Sequence, residues 1–458
     1  MSRESKRNIL VISDLHLGED VRPNATGVSY LRRVVRLERE LEAFFVHYTA
    51  TRVDARPWRL VINGDMVDFM SVVVLPKGDG ASDEERQYGL AHDELRTVEK
   101  LDLVVERHAS VFRRLAEFVS AGNELVVVVG NHDVEFHYPS VQQRFIERLG
   151  GLVDGGLPEG VVRFCPWFYY EEELVYVEHG HQYDEYCSFD YQLHPALTTG
   201  GVALSLAHAG IRYFTNLVPS MNPAHSDKWG FVDYLRWAVG LGAHSLSRAC
   251  YFYGVFCWKA LSMWSRLTDR VGDRARREQH ETSLRALSLG YRIAIEKLVA
   301  LDGLRVVPVL KRFHKMLAAL CLDRIALCLA AGLAVVAALV ALPGWWRLVG
   351  LAVATGATLA ANDRLARARL PPSAQPLRSA PEAIRRILRA PFIVFGHSHE
   401  AETVPLGGGG TYFNTGAWSH DDIGRAFTHL IIRISGLETP RAELRQWRDG
   451  ASTPYCAE

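Results

Sequence analysis

The chain has no excess of charge, no cysteine pairing pattern and no leader-like opening, and each absence removes a class of protein. Its 52 Lys and Arg balance 52 Asp and Glu over 458 residues, so a nucleic-acid sleeve, which neutralises phosphates with a basic stripe, is not expected. The seven cysteines (Cys165, Cys187, Cys250, Cys257, Cys321, Cys328, Cys456) form no CxxC pair, which argues against a zinc ribbon or disulfide framework and for a reducing compartment. The opening MSRESKRNILVISD passes from a short basic tail straight into a strand-like run, without the apolar stretch and small-residue cleavage site of a secretory signal. The N-terminus is therefore expected in the cytosol. No internal repeat is present. What remains, 48% hydrophobic and 23% charged, excludes a disordered chain and leaves room for two or three units with ample cores.

Three continuous apolar runs, 8–13, 59–63 and 124–129, read as strands buried on both faces, and stretches of helical spacing, 30–49 and 93–121, lie between them. This alternation predicts an α/β layered domain with its chemistry at the carboxyl ends of strands. Residues 161–170, 174–178 and 392–395 are further strand candidates. Residues 411–414, 427–434 and 441–447 follow with β-branched and aromatic side chains, and the GGGG run at 407–410 reads as a flexible turn.

Residues 190–380 are helical in character and look inserted into that unit. Within them, 325–342 is an 18-residue stretch without a charge, about 27 Å long as a helix and close to the thickness of a bilayer core. A Pro343-Gly344 turn with Trp345 and Trp346 follows, and then a shorter apolar stretch, 348–361. Lys311, Arg312, Lys315, Arg324, Arg364, Arg367 and Arg369 flank the pair on its outer side, against Arg347 alone in the turn. That bias predicts a transmembrane hairpin with both outer flanks cytoplasmic and the tryptophans at the opposite interface. A hairpin buried in soluble protein is the alternative, because both stretches are rich in alanine. Residues 237–264 mix Tyr251, Phe252, Tyr253, Phe256 and Trp258 with Arg248 and Lys259, and Arg266 follows; this suits a helix on a membrane surface as well as one packed into its own domain. Cys250 and Cys257, seven apart, read as small core residues on one helical face.

Five short motifs occur in order, each after an apolar run: SDLHL at 13–17, GDMVD at 64–68, GNHD at 130–133, HGH at 179–181 and GHSH at 396–399. Any one of them arises by chance, whereas five at successive strand ends form a structural context. Their carboxylates, imidazoles and amide suit borderline divalent ions such as Mn, Fe or Zn better than Mg or Ca, which prefer oxygen shells. Two ions about 3.5–4 Å apart clamp a phosphoryl group and hold a hydroxide for in-line attack. A carboxylate must then bridge them, and Asp65, at the tip of its strand, is the candidate.

The set DxH, GDxxD, GNHD, HG and GHxH resembles the calcineurin-like metallophosphoesterase superfamily over residues 8–185 and 390–450. The resemblance implies an α/β fold, a β-sandwich flanked by helices, in two parts at 1–189 and 390–458. A helical insert (190–320), a hydrophobic hairpin (321–365) and a linker helix (366–389) would separate them. It further implies one divalent ion held by Asp14, His16, Asp65 and His399, and a second by Asp65, Asn131, His179 and His397. His132 would protonate the leaving oxygen, oriented by Asp68, with Asp133 the competing orienter. His181 stays open between a substrate contact, support for a ligand and an ordinary loop residue.

The protein Ser/Thr phosphatase branch carries an arginine after GDxxD and a glutamate after GNH; here Phe69 and Asp133 stand in those places. TYFNTGAW at 411–418 looks like the closing segment of the branch that includes UDP-2,3-diacylglucosamine pyrophosphatase, an enzyme of lipid A synthesis. That enzyme has no histidine at the place of His132 and no insert of this size. The expectation is a membrane-attached, cytoplasm-facing two-metal phosphohydrolase acting on a lipid-linked phosphate ester or pyrophosphate. A tethered phosphodiesterase of soluble nucleotides and an inactive membrane scaffold are the alternatives, and no nucleic-acid partner is expected.

Overall fold

Apolar residues on both faces of a strand require a layer on each side, and the chain supplies them with two stacked sheets between helices. The computed structural model describes residues 7–22, 28–76, 80–195, 201–218, 231–267, 270–368, 374–419, 426–434 and 439–456. Strands β1 (Asn8–Ile12), β2 (Trp58–Asn63), β3 (Glu124–Val128) and β4 (Val162–Cys165) run parallel in the first sheet. β10 (Thr428–Arg433) pairs antiparallel with β1 and is followed outward by β11 (Arg441–Arg448) and β12 (Ala451–Pro454). The second sheet has the order β5-β6-β7-β9-β8, from β5 (Phe168–Glu171), β6 (Val175–Glu178), β7 (Phe392–Phe395), β8 (Glu402–Leu406) and β9 (Gly410–Asn414). Alternation along each strand divides the core. Ile9 and Val11 of β1 meet Val175, Val177 and Val394 between the sheets, while Leu10 and Ile12 face the opposite way.

Helices α1 (Val28–Ala50), α3 (Glu94–Arg107), α4 (Ala109–Ser120) and α5 (Pro139–Gly150) supply the layer outside the first sheet, and α2 (Asp83–Tyr88) lies in the loop before α3. The region between the two parts of the sandwich holds α6 (Leu206–Tyr213), α7 (Phe231–Gly240), α8 (Ala243–Leu267), α9 (Arg270–Tyr291), α10 (Ile295–Asp302) and α11 (Phe313–Ala319). It continues through α12 (Leu322–Ala341), α13 (Trp346–Ala368) and α14 (Ala374–Leu388). Leu284 of α9, Leu298 and Leu301 of α10, and Ile384 of α14 cover the outer face of the second sheet beside Tyr176, Ile393 and Phe395.

Four expectations change. The single strand expected at 161–170 is two strands in different sheets, because Pro166 cannot donate a ladder hydrogen bond and the chain crosses between layers there. The helix expected at 93–121 breaks at His108, whose Nε2 accepts the Gly18 N–H at 3.1 Å and whose Nδ1 meets Glu38 at 2.8 Å. The aromatic stretch 237–264 is divided between α7 and α8, interrupted next to Gly240 and Gly242. On α8, Cys257 is buried against the 309–320 segment, but Cys250 lies outside that cluster and is exposed, so the two do not share a core.

Tyr251 and Trp258 on α8 are exposed, whereas Phe252, Tyr253 and Phe256 pack toward α6 and the 309–320 segment. Among the described residues α12 is the one helix long and apolar enough to cross a membrane, and little of it is buried. It packs against α13 as a hairpin. Leu329 and Leu333 on α12 and Leu348 and Val353 on α13 face outward, and Trp345 stacks on Trp346 in the turn. Arg369, counted in the outer basic flank, lies outside the described residues.

Candidate metal centre

All five motifs follow strand ends on one edge of the sandwich: after β1, β2 and β3 in the first sheet, and after β6 and β7 in the second. Backbone hydrogen bonds join neighbouring loops, from Asp14 N to Gly64 O, His16 N to Asp65 O, Phe69 N to His132 O and Gly396 N to His179 O. Asp14, His16, Asp65, His397 and His399 all have positive φ, between 48° and 66°. This left-handed region is held only where the surroundings impose it. Close approach also explains two glycines: a Cβ on Gly64 would lie 2.3 Å from His179 Nδ1, and one on Gly130 would lie 2.3 Å from Asp65 Oδ1.

Asp14, His16, Asp65 and His399 converge. His399 Nε2 is 3.1 Å from Asp14 Oδ1 and 3.4 Å from His16 Nε2, and His16 Nε2 is 3.8 Å from Asp65 Oδ2. Beside them, His179 Nε2 is 3.2 Å from Asp65 Oδ2 and 3.1 Å from Asn131 Oδ1, while its Nδ1 meets Asn63 O at 2.8 Å. Asp65 thus touches both groups. His397 is placed differently: its ring centroid is 5.3 Å from that of His179, but its Nε2 pairs with Asp184 Oδ2 at 3.3 Å.

These residues fit a cation. Asp14, His16 and His399 offer ligand atoms within 4.8 Å of one another, and so do Asp14, Asp65 and His179. Asp14 Oδ1 is fully buried and accepts no aligned hydrogen bond, although His399 stands at contact distance. A buried acceptor left in that state is suited to a metal. In two further sets, His16 with Asp65 and His132, and Asp184 with Cys187 and His397, the ligand atoms also lie within 4.8 Å of one another.

The calcineurin-like phosphoesterase family model matches residues 7–235, half of the chain. The chain belongs to that family. Membership makes it a metal-dependent phosphoesterase. The family match ends before β7, so the placement of GHSH opposite SDLHL and HGH is supplied by the fold. No curated protein matches the chain.

His132 lies beside the two groups of this phosphoesterase. Its Nδ1 is 2.9 Å from Asp68 Oδ1, and its ring stands edge-on to His16 with centroids 4.6 Å apart. Asp68 is itself held by Ser71, whose N–H and Oγ–H both donate to its carboxylate. Burial opposes charge on His132, but Asp68 and Asp65 outweigh it and hold the imidazolium up to about 10. Asp133 does not meet His132; its oxygens accept the Met66 and Gly130 N–H groups, and burial together with Asp65 pushes it up to about 7. His181 is buried with Nε2 near Gln182, and its Nδ1 makes no hydrogen bond.

The TYFNTGAW segment has a physical role. Asn414 donates to Gly396 O and Ser398 Oγ, Ser13 Oγ pairs with Thr415 and donates to Gly416 O, and the Trp418 and Ser419 N–H groups donate to Asp14 O. It therefore ties the first motif to the last.

Two neighbours of the site escaped the sequence reading. Asp184 stands five residues past His179, and His208, on α6, packs edge-on against His132 with centroids 6.0 Å apart. Neither belongs to a motif, and His208 arrives from the inserted region. Arg212 holds α6 in place by donating to Gly89 O, Leu90 O and His92 Nε2, which leaves His92 Nδ1 to pair with the buried Glu135.

Proposed function

We propose that this phosphoesterase uses two divalent ions, Mn, Fe or Zn, to hydrolyse a phosphate ester or pyrophosphate carried by a lipid at the cytoplasmic face of a membrane. The observation that carries the two-ion reading is Asp65, one buried carboxylate within 4 Å of both His16 and His179. One ion would be held by Asp14, His16, Asp65 and His399, and the other by Asp65, Asn131, His179 and His397. Bound there, such ions polarise a phosphoryl oxygen and supply a nucleophilic water at neutral pH. Asp68 fixes His132 through Nδ1, which leaves Nε2 to carry the proton given to the departing oxygen. His16, on the other side of Asp68, is steadied by the same carboxylate at 3.6 Å.

The lipid-linked substrate is supported by the outward-facing apolar hairpin of α12 and α13, and the cytoplasmic orientation by the seven-to-one basic bias of its flanks. The TYFNTGAW segment favours the branch that contains UDP-2,3-diacylglucosamine pyrophosphatase. The test is hydrolysis by the Mn-loaded chain in liposomes, comparing lipid-linked monoesters and pyrophosphates with soluble nucleotides. Preference for the lipid-linked compounds is expected. Equal or better turnover of nucleotides, unchanged when the hairpin is deleted, would overturn the lipid assignment.

A further inference from the structure

Asp184 is placed with more care than a surface loop requires. Its N–H donates to His181 O, its Oδ1 accepts the Tyr186 N–H at 2.9 Å, and its carbonyl accepts the Cys187 and Ser188 N–H groups. The remaining oxygen, Oδ2, meets His397 Nε2. The turn is also clamped from the inserted region. Val306 N–H donates to Gln182 O at 2.9 Å, Val309 N–H donates to Glu185 O at 2.8 Å, and Lys315 Nζ pairs with the buried Glu185 carboxylate at 2.8 Å.

His397 has one nitrogen engaged by this carboxylate and its backbone N–H donates to Asp14 Oδ2 at 3.2 Å. An imidazole that ligates a metal uses one nitrogen, and the hydrogen bond made by the other sets the tautomer and ring orientation. With Nε2–H given to Asp184, Nδ1 is the nitrogen left for a cation. We propose that Asp184 is a positioning residue that holds His397 as an Nδ1 ligand of the second ion, and that the inserted region sets this carboxylate through Gln182 and Glu185. The inference rests on the two-ion reading. It gives the insert a task inside the metal centre that a tether would not have.

The test is Mn(II) titration of the metal-free chain, followed by calorimetry and by the electron paramagnetic resonance of the coupled pair. Wild type should take up two ions. Asp184→Asn should weaken one of them by about 10- to 100-fold, the range for lost partners of metal-bound histidines, and leave the other within twofold. Asp184→Glu should recover part of the loss, and Lys315→Ala should weaken the same ion by less. These two variants keep the question answerable should Asp184→Asn not fold. Unchanged affinities in Asp184→Asn, or equal weakening of both ions in a folded variant, would overturn the proposal. A loss in Cys187→Ser as large as that in Asp184→Asn would also overturn it, because Asp184, Cys187 and His397 would then be a ligand set of their own. A wild-type chain that takes up a single ion would refute the two-ion reading itself, before any variant is compared.

Discussion

If His132 protonates the departing oxygen, its removal should be felt in proportion to how much that oxygen needs the proton. General acid assistance is typically worth about 10² to 10⁴ in rate, or about 2.7 to 5.5 kcal/mol. His132→Ala should therefore slow alkyl phosphate esters by that order, while p-nitrophenyl esters, whose leaving group departs unassisted, lose far less. Asp68→Asn is the companion change. It replaces a buried carboxylate–imidazole contact at 2.9 Å with a neutral one. Hydrogen bonds to charged groups are worth about 1.5 to 3 kcal/mol against about 1 for neutral pairs, a difference of about 0.5 to 2 kcal/mol, so the variant should lose roughly 2- to 30-fold on alkyl esters. Asp68 also lies 3.6 Å from His16, so metal content must be measured beside the rates. The assay is kcat/KM across alkyl and aryl esters of graded leaving-group pKa, at fixed Mn(II). A steeper dependence on leaving group in both variants is expected. Equal losses on alkyl and aryl esters, with metal content intact, would refute proton donation and turn attention to His181.

Asp65→Asn should abolish turnover and lower bound metal more than any other single ligand change, because Asp65 faces both groups; elemental analysis that still finds two tightly held ions and near-normal rates would sink the assignment. Gly130→Ala would place a methyl 2.3 Å from Asp65 Oδ1 and 2.6 Å from its N, so it should cost about 1 to 3 kcal/mol in urea unfolding and displace metal, and a variant of wild-type stability and metal content would contradict the close approach. The chain should sediment with membranes and resist salt or alkali extraction until residues 325–361 are deleted, since insertion rests on apolar transfer and not on screened charge; recovery of the intact chain without detergent would favour a buried hairpin. Burial lowers His429 from 6.5 to about 3, so the unfolded chain binds its proton first and stability falls as pH drops below 6.5, by about 2 kcal/mol at pH 5. Chemical denaturation at pH 7 and pH 5 should show a fall smaller by about that amount in His429→Gln than in wild type, while His208 and His137, which burial also lowers, keep part of the slope.

The strand ends and the motifs that follow them were legible because both are local. A buried parallel strand is an uninterrupted apolar run, and the motif follows it directly, as with β1 and Asp14 or β7 and His397. What was not legible depends on partners far away in the chain. The break at His108 exists because Gly18, Asp20 and Glu38 gather around its ring. β8 contains Pro405, which disguises it as a loop in the sequence; it is an edge strand, where a missing N–H is tolerated. Asp184 and His208 carry no spacing signal at all, since their neighbours, His397 and His132, are brought to them by β7 and α6. The choice between Asp68 and Asp133 likewise needed the fold, which turns Asp133 onto two backbone N–H groups.

The central place of β7 in the second sheet sets a clock on assembly. β6 closes at Glu178 and its parallel neighbour begins at Phe392; at a synthesis rate of about 5 to 20 residues per second, the roughly 210 residues between them occupy about ten to forty seconds. Throughout that interval the second sheet is a bare β5–β6 hairpin, a unit that is marginal alone in water. The edge of β1 is also open, because β10 comes later still. The apolar α12 is made well inside the same interval, ahead of both histidines of GHSH. The histidines of GHSH therefore join the other four motifs only after the whole hairpin has been made.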